Sequence, residues 1–545
     1  MPTLVMSAVS IALVVSLAGG PGPRGQADTP PGARAELTGA TPLPLTGERR
    51  AAFEAYVADA LYRFKVPGAA VAVVENGDVV YLNGFGVKEI GSTRPVTPDT
   101  MMMIGSITKP MTTMLAASLV DAGRVTWETR LVDLLPAFAV GDPALTERLT
   151  IRDAFCNCSG VPGRNIESYF ESGRLTPETV VRALAAVAPT ARYGEQFIYN
   201  NLLIASGGYA LGVANGGGAG DLGLAYDVAL RERILGPIGM THSTFDPTAV
   251  LAAGDYALPH AVDLSGALRS IPLTAERILL PYRPAGALWS NAREMAHYLQ
   301  TNLARGVAPG GTRVVSAASL EATWTPGVSV PNLYDGPPEM AATMTRYGLG
   351  WMNGQYRGLR VVRDEGGTAG FTATIAFLPE ADLGIVVLTN SFSLAPIPLA
   401  FDYAVQFRLF ELLFDQPAEF DAQLMAQGDA LAAARPSLAL GTVDPAAVAP
   451  YLGRYHNAEL GEVSLSLRGD RLVLDAGELS SELRPRADGG APTVYLLHDP
   501  PLSLFSEAYG VTVRFSGGAQ APRMTITVPA SVTGPEEELV FTPLR

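Results

Sequence analysis

Cysteine is almost missing from this 545-residue chain: there are two, Cys156 and Cys158, one residue apart. A bridge across so short a loop is usually strained, so the pair reads as two thiols beside a turn and not as a disulfide framework. Histidine is scarce as well, and His242, His260, His297, His456 and His498 all fall outside any motif. No Gly-x-Ser-x-Gly elbow occurs, which argues against a Ser-His-Asp hydrolase. No His/Cys/Asp cluster has ligand spacing, so neither a metal nor another cofactor is expected. Positive charge is in deficit, with 39 Lys and Arg against 53 Asp and Glu and a net charge of −14. That balance argues against nucleic acid or an anionic membrane surface as partner, since both want a basic face. Long apolar runs are missing beyond the N-terminus. There, Leu4 to Leu17 is almost wholly apolar and is followed by Ala18-Gly19-Gly20-Pro21-Gly22. The run is short for a membrane span and suits an export signal. No Lys or Arg precedes it, so an uncleaved anchor is the alternative, and no cysteine follows it to carry a lipid. An exported protein is expected, touching a membrane only through this segment if it is retained.

What is present is globular: 48% of residues are hydrophobic and 17% charged. The length suggests two or three domains. Residues 1–27 read as signal or anchor and 28–48 as a Pro/Gly-rich linker. The stretch 49–417 reads as a mixed domain, 418–447 as an Ala-rich connector and 448–545 as an all-β module. Ala51 to Phe64 has helical periodicity. Ala70–Glu75 and Asp78–Asn83 flank Asn76-Gly77, a strong hairpin signal. A helix is expected from about Ser106 to Ala122, with Gly123 ending it. Helix and loop dominate 110–340. Strand patterns return at Leu359–Arg363, Thr372–Phe377 and Gly384–Leu388. Strands at both ends of a helical region suggest one antiparallel sheet built from both ends of the domain. Leu452–Tyr455, Glu462–Leu467, Arg471–Leu474 and Val511–Phe515 read as short strands of a small barrel.

Three constellations carry chemistry. The first is Gly105-Ser106-Ile107-Thr108-Lys109. A serine and a lysine three apart at a helix start share one face. First-turn N–H groups can donate to an oxyanion, and a desolvated lysine can take the serine proton. The only other lysines are Lys65 and Lys88, and neither has a serine three before it. The second is Tyr199-Asn200-Asn201, a phenol for proton transfer and, at Asn201, an amide for substrate. The third is Asp364-Glu365-Gly366-Gly367-Thr368-Ala369-Gly370-Phe371, a strand edge where glycine admits a ligand to the backbone. Each also has a plainer reading: a solvated lysine, a structural tyrosine, a Gly-rich turn.

In this order and spacing the three resemble the group of serine hydrolases containing class C β-lactamases, D-alanyl-D-alanine carboxypeptidases and esterases. Val66-Pro67-Gly68-Ala69, Ser159-Gly160-Val161-Pro162-Gly163, Pro284–Ser290, Tyr347–Trp351 and Leu388-Thr389-Asn390 add to the likeness, which covers about 50–415. The C-terminal module resembles the lipocalin-like domain of some of these peptidases, serving either to cap the cleft or to mediate assembly. The resemblance implies an α/β (α+β) β-lactamase/transpeptidase-like fold, with helices on both sides of an antiparallel sheet. It implies Ser106 as the acylated nucleophile, and Lys109 and Tyr199 sharing the base and acid work. Asn201, Asp364, Glu365, Gly366 and Gly367 would face substrate, and the N–H groups of Ser106 and Gly367 would form the oxyanion hole. Relatives usually open the third motif with Lys or His, where this chain has Asp364, then Thr or Gly, where it has Glu365. An acid there repels the carboxylate of a penicillin or a peptide C-terminus. The expected substrate is therefore a small ester, or a D-amino-acid peptide with a free amine, ahead of a β-lactam. The alternative is a catalytically weak or inactive binding or assembly protein on the same scaffold.

Overall fold

The computed structural model describes residues 36–544 except 164–169, 171–174, 219, 335, 393–396, 398, 435–438, 459, 488–492, 509 and 531–535. The apolar N-terminal stretch expected to direct export lies outside the described residues. Among the described residues no helix is long and apolar enough to cross a membrane.

Helix α1 (Gly47–Arg63) leads into strands β1 (Gly68–Glu75) and β2 (Asp78–Gly86). Asn76 and Gly77 both take positive φ, 51° and 80°, as a two-residue turn between right-twisted strands requires. The sheet is completed far along the chain by β3 (Arg346–Tyr347), β4 (Met352–Tyr356), β5 (Leu359–Gly367), β6 (Thr372–Leu378) and β7 (Leu383–Thr389). Its order is β2-β1-β7-β6-β5-β4-β3, antiparallel throughout. Ala69 of β1 faces Thr389 of β7, so the two ends of the domain close one sheet around the helical region.

Strand β1 is apolar from Ala69 to Val74 because both faces are covered there. Ala70, Ala72 and Val74 enter the core shared with α2 (Thr108–Asp121), whose Met111, Met114 and Leu115 are buried. Ala69, Val71 and Val73 pack on the other side with Phe53 and Val57 of α1. That second layer also holds Tyr403 and Phe407 of the later helix Ala400–Leu413. Each large side chain so buried contributes roughly 1.5–3 kcal/mol.

Eight further strands, β8 (Gly453–Asn457) to β15 (Glu537–Pro543), close into a barrel. Leu465, Leu472, Leu474, Leu483, Leu497 and Ile526 fill its interior, so it is a packed core. The same apolar cluster takes in Ala261, Ile271, Ala275, Ile278 and Ala369 of the larger domain. Two hydrogen bonds add to the join: Leu264 N–H to His498 O at 3.1 Å, and Ser503 Oγ to Val262 O at 2.9 Å. The barrel therefore packs beside the turn that follows β5.

Candidate active site

Ser106 lies in a 3-10 turn, Gly105–Ile107, that runs directly into α2. Lys109 is one turn further on and fully buried. Its Nζ donates to Ser106 Oγ at 2.7 Å and to the Ala285 carbonyl at 2.7 Å. The Tyr199 hydroxyl is 2.7 Å from the same Ser106 Oγ, and the ammonium lies 4.8 Å from the centre of the Tyr199 ring. Asn200 caps the next helix, α3 (Asn201–Ala214), with its side chain accepting from Leu203 N–H at 2.9 Å. Asn201 is thereby set, half-buried, at the first helical position.

Strand β5 passes against this turn. A Cβ on Gly105 would lie 2.7 Å from Gly367 N, and one on Gly366 would overlap the Ile104 carbonyl and lie 2.8 Å from Ser106 N. The Ser106 and Gly367 amides thus approach one another because neither glycine has a side chain. Thr368 N–H bonds to Phe371 O at 3.0 Å, which makes Gly367 and Thr372 the next, non-hydrogen-bonded pair of the ladder. The Gly367 N–H therefore points away from β6. Gly366→Ala is expected to push the turn off the strand and cut labelling of Ser106 by about 10²-fold, the scale of a 1 Å misplacement or a lost oxyanion donor. The measurement is the rate of adduct formation with a fluorophosphonate.

Burial lowers the Lys109 ammonium to about 7, against the pull of Asp364, which raises it. A neutral amine beside Ser106 is thus accessible near neutral pH. Asp364 is buried on the α2 side of β5, and its Oδ2 has no hydrogen-bond partner. Burial pushes its carboxyl well above the usual range, with Lys109 opposing.

The next side chain, Glu365, points to the opposite face of the sheet, as strand alternation demands. There it accepts from Arg363 at 3.0 Å and from the hydroxyls of Tyr334 and Tyr403. The expectation that its side chain faces substrate is corrected: it belongs to a buried polar cluster behind the sheet. The expectation of two free thiols is corrected as well. Cys156 and Cys158 are bridged. Asn157 between them takes φ +49°, and this left-handed turn brings the two Cα atoms to 5.1 Å, within bridging range.

Two contributors had no sequence signal. The Ala285 carbonyl is a backbone group inside a stretch noted only for its likeness to relatives. Glu276, fully buried, accepts from Thr368 Oγ1 at 2.9 Å, Ala369 N–H at 3.2 Å and Gly370 N–H at 2.9 Å, and so pins the turn after Gly367. Burial raises its carboxyl to about 7 against those donors. Of the histidines, His260 is buried in the frame, its Nδ1 2.8 Å from Asn390 O and its Nε2 accepting from Ile90 N–H at 3.1 Å. Among the described residues one group of metal-type ligands converges, Glu482, His498 and Asp499 in the barrel. Arg471 and Arg484 already pair with Glu482 there, at 2.6 and 2.7 Å.

A serine held by a buried lysine and a tyrosine, with a neighbouring strand amide close by, suits an acyl-transferring serine hydrolase. The Beta-lactamase family model matches residues 50–405, and the chain belongs to that family. Penicillin-binding protein 4 of Amycolatopsis lactamdurans is 30% identical over 333 residues, 60% of this chain and 81% of that protein. The unguisins hydrolase of Aspergillus violaceofuscus is 28% identical over 364 residues, 64% of this chain and 62% of that protein, so the match spans under two thirds of that relative. In fold, the chain is similar to the octameric penicillin-binding protein homologue from Pyrococcus abyssi. That likeness has a TM-score of 0.58 at 21% identity and covers 90% of this chain and 99% of the other. A class C β-lactamase from Rhodobacter sphaeroides matches with a TM-score of 0.51 at 22% identity, over 66% of this chain and 98% of the other.

Proposed function

We propose that this protein is an exported hydrolase that forms an acyl-enzyme on Ser106 from an ester or amide. The observation that carries the reading is the placement of Lys109 Nζ and Tyr199 Oη, each 2.7 Å from Ser106 Oγ. With its proton lost, Lys109 accepts the serine proton as Oγ attacks the acyl carbon. The N–H groups of Ser106 and Gly367 receive the oxyanion, and Tyr199 passes a proton to the leaving group and regains one from Lys109, which returns to the neutral amine. Water then repeats the attack and frees the acid. Asn201, at the head of α3, orients the substrate amide or ester.

Asp364 supports a choice among substrates. A buried carboxyl takes the place where relatives carry a cation, so nothing there attracts a substrate carboxylate. A neutral ester, or a D-amino-acid peptide bearing a free amine, suits the site better than a penicillin. The expected result is measurable kcat/KM on small neutral esters or amino-terminal D-peptide amides, with benzylpenicillin turned over slowly or not at all. Rapid penicillin turnover by the purified protein contradicts the substrate assignment while leaving the acyl-enzyme intact.

A further inference from the structure

Ser106 and Lys109 are held by a 3-10 turn and the buried helix α2 it runs into, whereas Tyr199 sits in an irregular segment just ahead of α3. That segment is hung on the Cys156–Gly160 loop. Ile198 N–H donates to the Asn157 carbonyl at 2.8 Å, and Asn200 N–H donates to Asn157 Oδ1 at 3.0 Å. Both neighbours of Tyr199 are therefore tied to one residue. Gly194 N–H to Cys158 O at 2.7 Å and Thr190 N–H to Gly160 O at 2.9 Å continue the attachment. On the far side, Asn200 Nδ2 donates to the Val161 and Pro162 carbonyls at 3.1 and 3.2 Å.

Asn157 is buried and left-handed, a backbone state that L-residues adopt seldom and asparagine more readily than most. Its carbonyl and its side-chain oxygen must face the same strip of backbone to make both bonds. The Cys156–Cys158 bridge closes directly over it and removes the extended alternatives. We propose that Asn157, locked by the Cys156–Cys158 bridge, is a positioning residue that holds the Tyr199 phenol on Ser106. The proposal rests on the reading of Tyr199 as part of the acylation site. It also implies redox sensitivity. A phosphine reductant and one water open the S–S bond, giving two thiols and the phosphine oxide, and Asn157 is then free to leave the left-handed state.

The test compares wild type, Cys156→Ala/Cys158→Ala, Asn157→Gly and Asn157→Asp. Fluorophosphonate labelling and hydrogen exchange of the peptide covering 196–201 are read on each, with Ser106→Ala as the labelling control. Glycine keeps the backbone state and deletes the acceptor, whereas aspartate keeps the acceptor. The double alanine and glycine variants are expected to label about 10²-fold more slowly, the scale of a 1 Å displacement. Exchange at 196–201 should rise in both while β1 stays protected, and aspartate should recover most of the rate. Where the double variant loses β1 protection too, wild type reduced with the phosphine replaces it. Wild-type labelling in the bridgeless protein overturns the proposal, as does slowed labelling without faster exchange at 196–201. Absence of a Ser106 adduct in wild type strikes the acyl-enzyme reading instead, and exchange at 196–201 still decides whether the clamp exists.

Discussion

Lys109→Met is expected to slow acylation of Ser106 by about 10²–10⁴-fold, the usual worth of a positioned general base, with the fold kept. Methionine fills a comparable volume in the buried helix start and cannot take a proton. Among the described residues, the Ser106 hydroxyl then keeps Tyr199 as its side-chain partner. The pH dependence sharpens the test. Only the neutral amine can accept the serine proton, and burial brings Lys109 to about 7. The wild-type labelling rate should therefore rise with pH through about 7 and level off above it. The methionine variant should lose that limb. A wild-type rate flat across the neutral range contradicts Lys109 as the base. Asp364 modifies the same limb. Its carboxylate favours the ammonium, so Asp364→Asn should move the rise to lower pH.

Arg363→Met is expected to destabilise the protein by about 3–5 kcal/mol, because it strands the buried Glu365 carboxylate without its cation. Arg363 is fully buried, 3.0 Å from Glu365, and its guanidinium stacks 4.3 Å from the Tyr403 ring centre. A shift of the denaturation midpoint measures the loss. Glu365→Gln leaves Tyr334, Tyr403 and Arg363 an uncharged acceptor and should cost less. It should leave KM unchanged, since Glu365 lies behind the sheet. A Glu365→Gln variant with altered KM and unaltered stability would return that side chain to the substrate pocket.

The pair Asp364 and Glu365 shows where sequence reasoning reaches its limit. Adjacent residues in a motif look equivalent on paper, yet a strand sends them to opposite faces. The Gly-rich stretch reads as a strand edge that includes both. Strand β5 in fact runs on to Gly367, and the turn begins only at Thr368. The N-terminal hairpin, the α2 helix and the return of strands near 359–388 were legible because periodicity and turn chemistry agreed. In the barrel, Ser480–Pro485 went unread, since Glu, Arg and Pro mask its pairing with β10 (Arg471–Asp475). Val494–Leu497 is too short to show alternation. Spacing puts Ser106 and Lys109 one helical turn apart, whereas Tyr199 joins them only through the resemblance to the serine hydrolases; the structure brings the three side chains together. The Ala285 carbonyl and Glu276 were not legible, because a backbone acceptor has no sequence signature and a lone glutamate resembles any other. The Cys156–Cys158 bridge has no signature in the spacing, because it needs a folded rather than extended backbone at Asn157, which spacing does not reveal.

The central claim is an activated serine at position 106. The most direct measurement is intact-mass spectrometry of the folded protein after exposure to a fluorophosphonate, with Ser106→Ala alongside. The account predicts a single adduct, mapped to Ser106 and lost in the alanine variant. No adduct on protein shown to be folded, or an equal adduct on the variant, contradicts it and leaves a binding protein on a hydrolase scaffold.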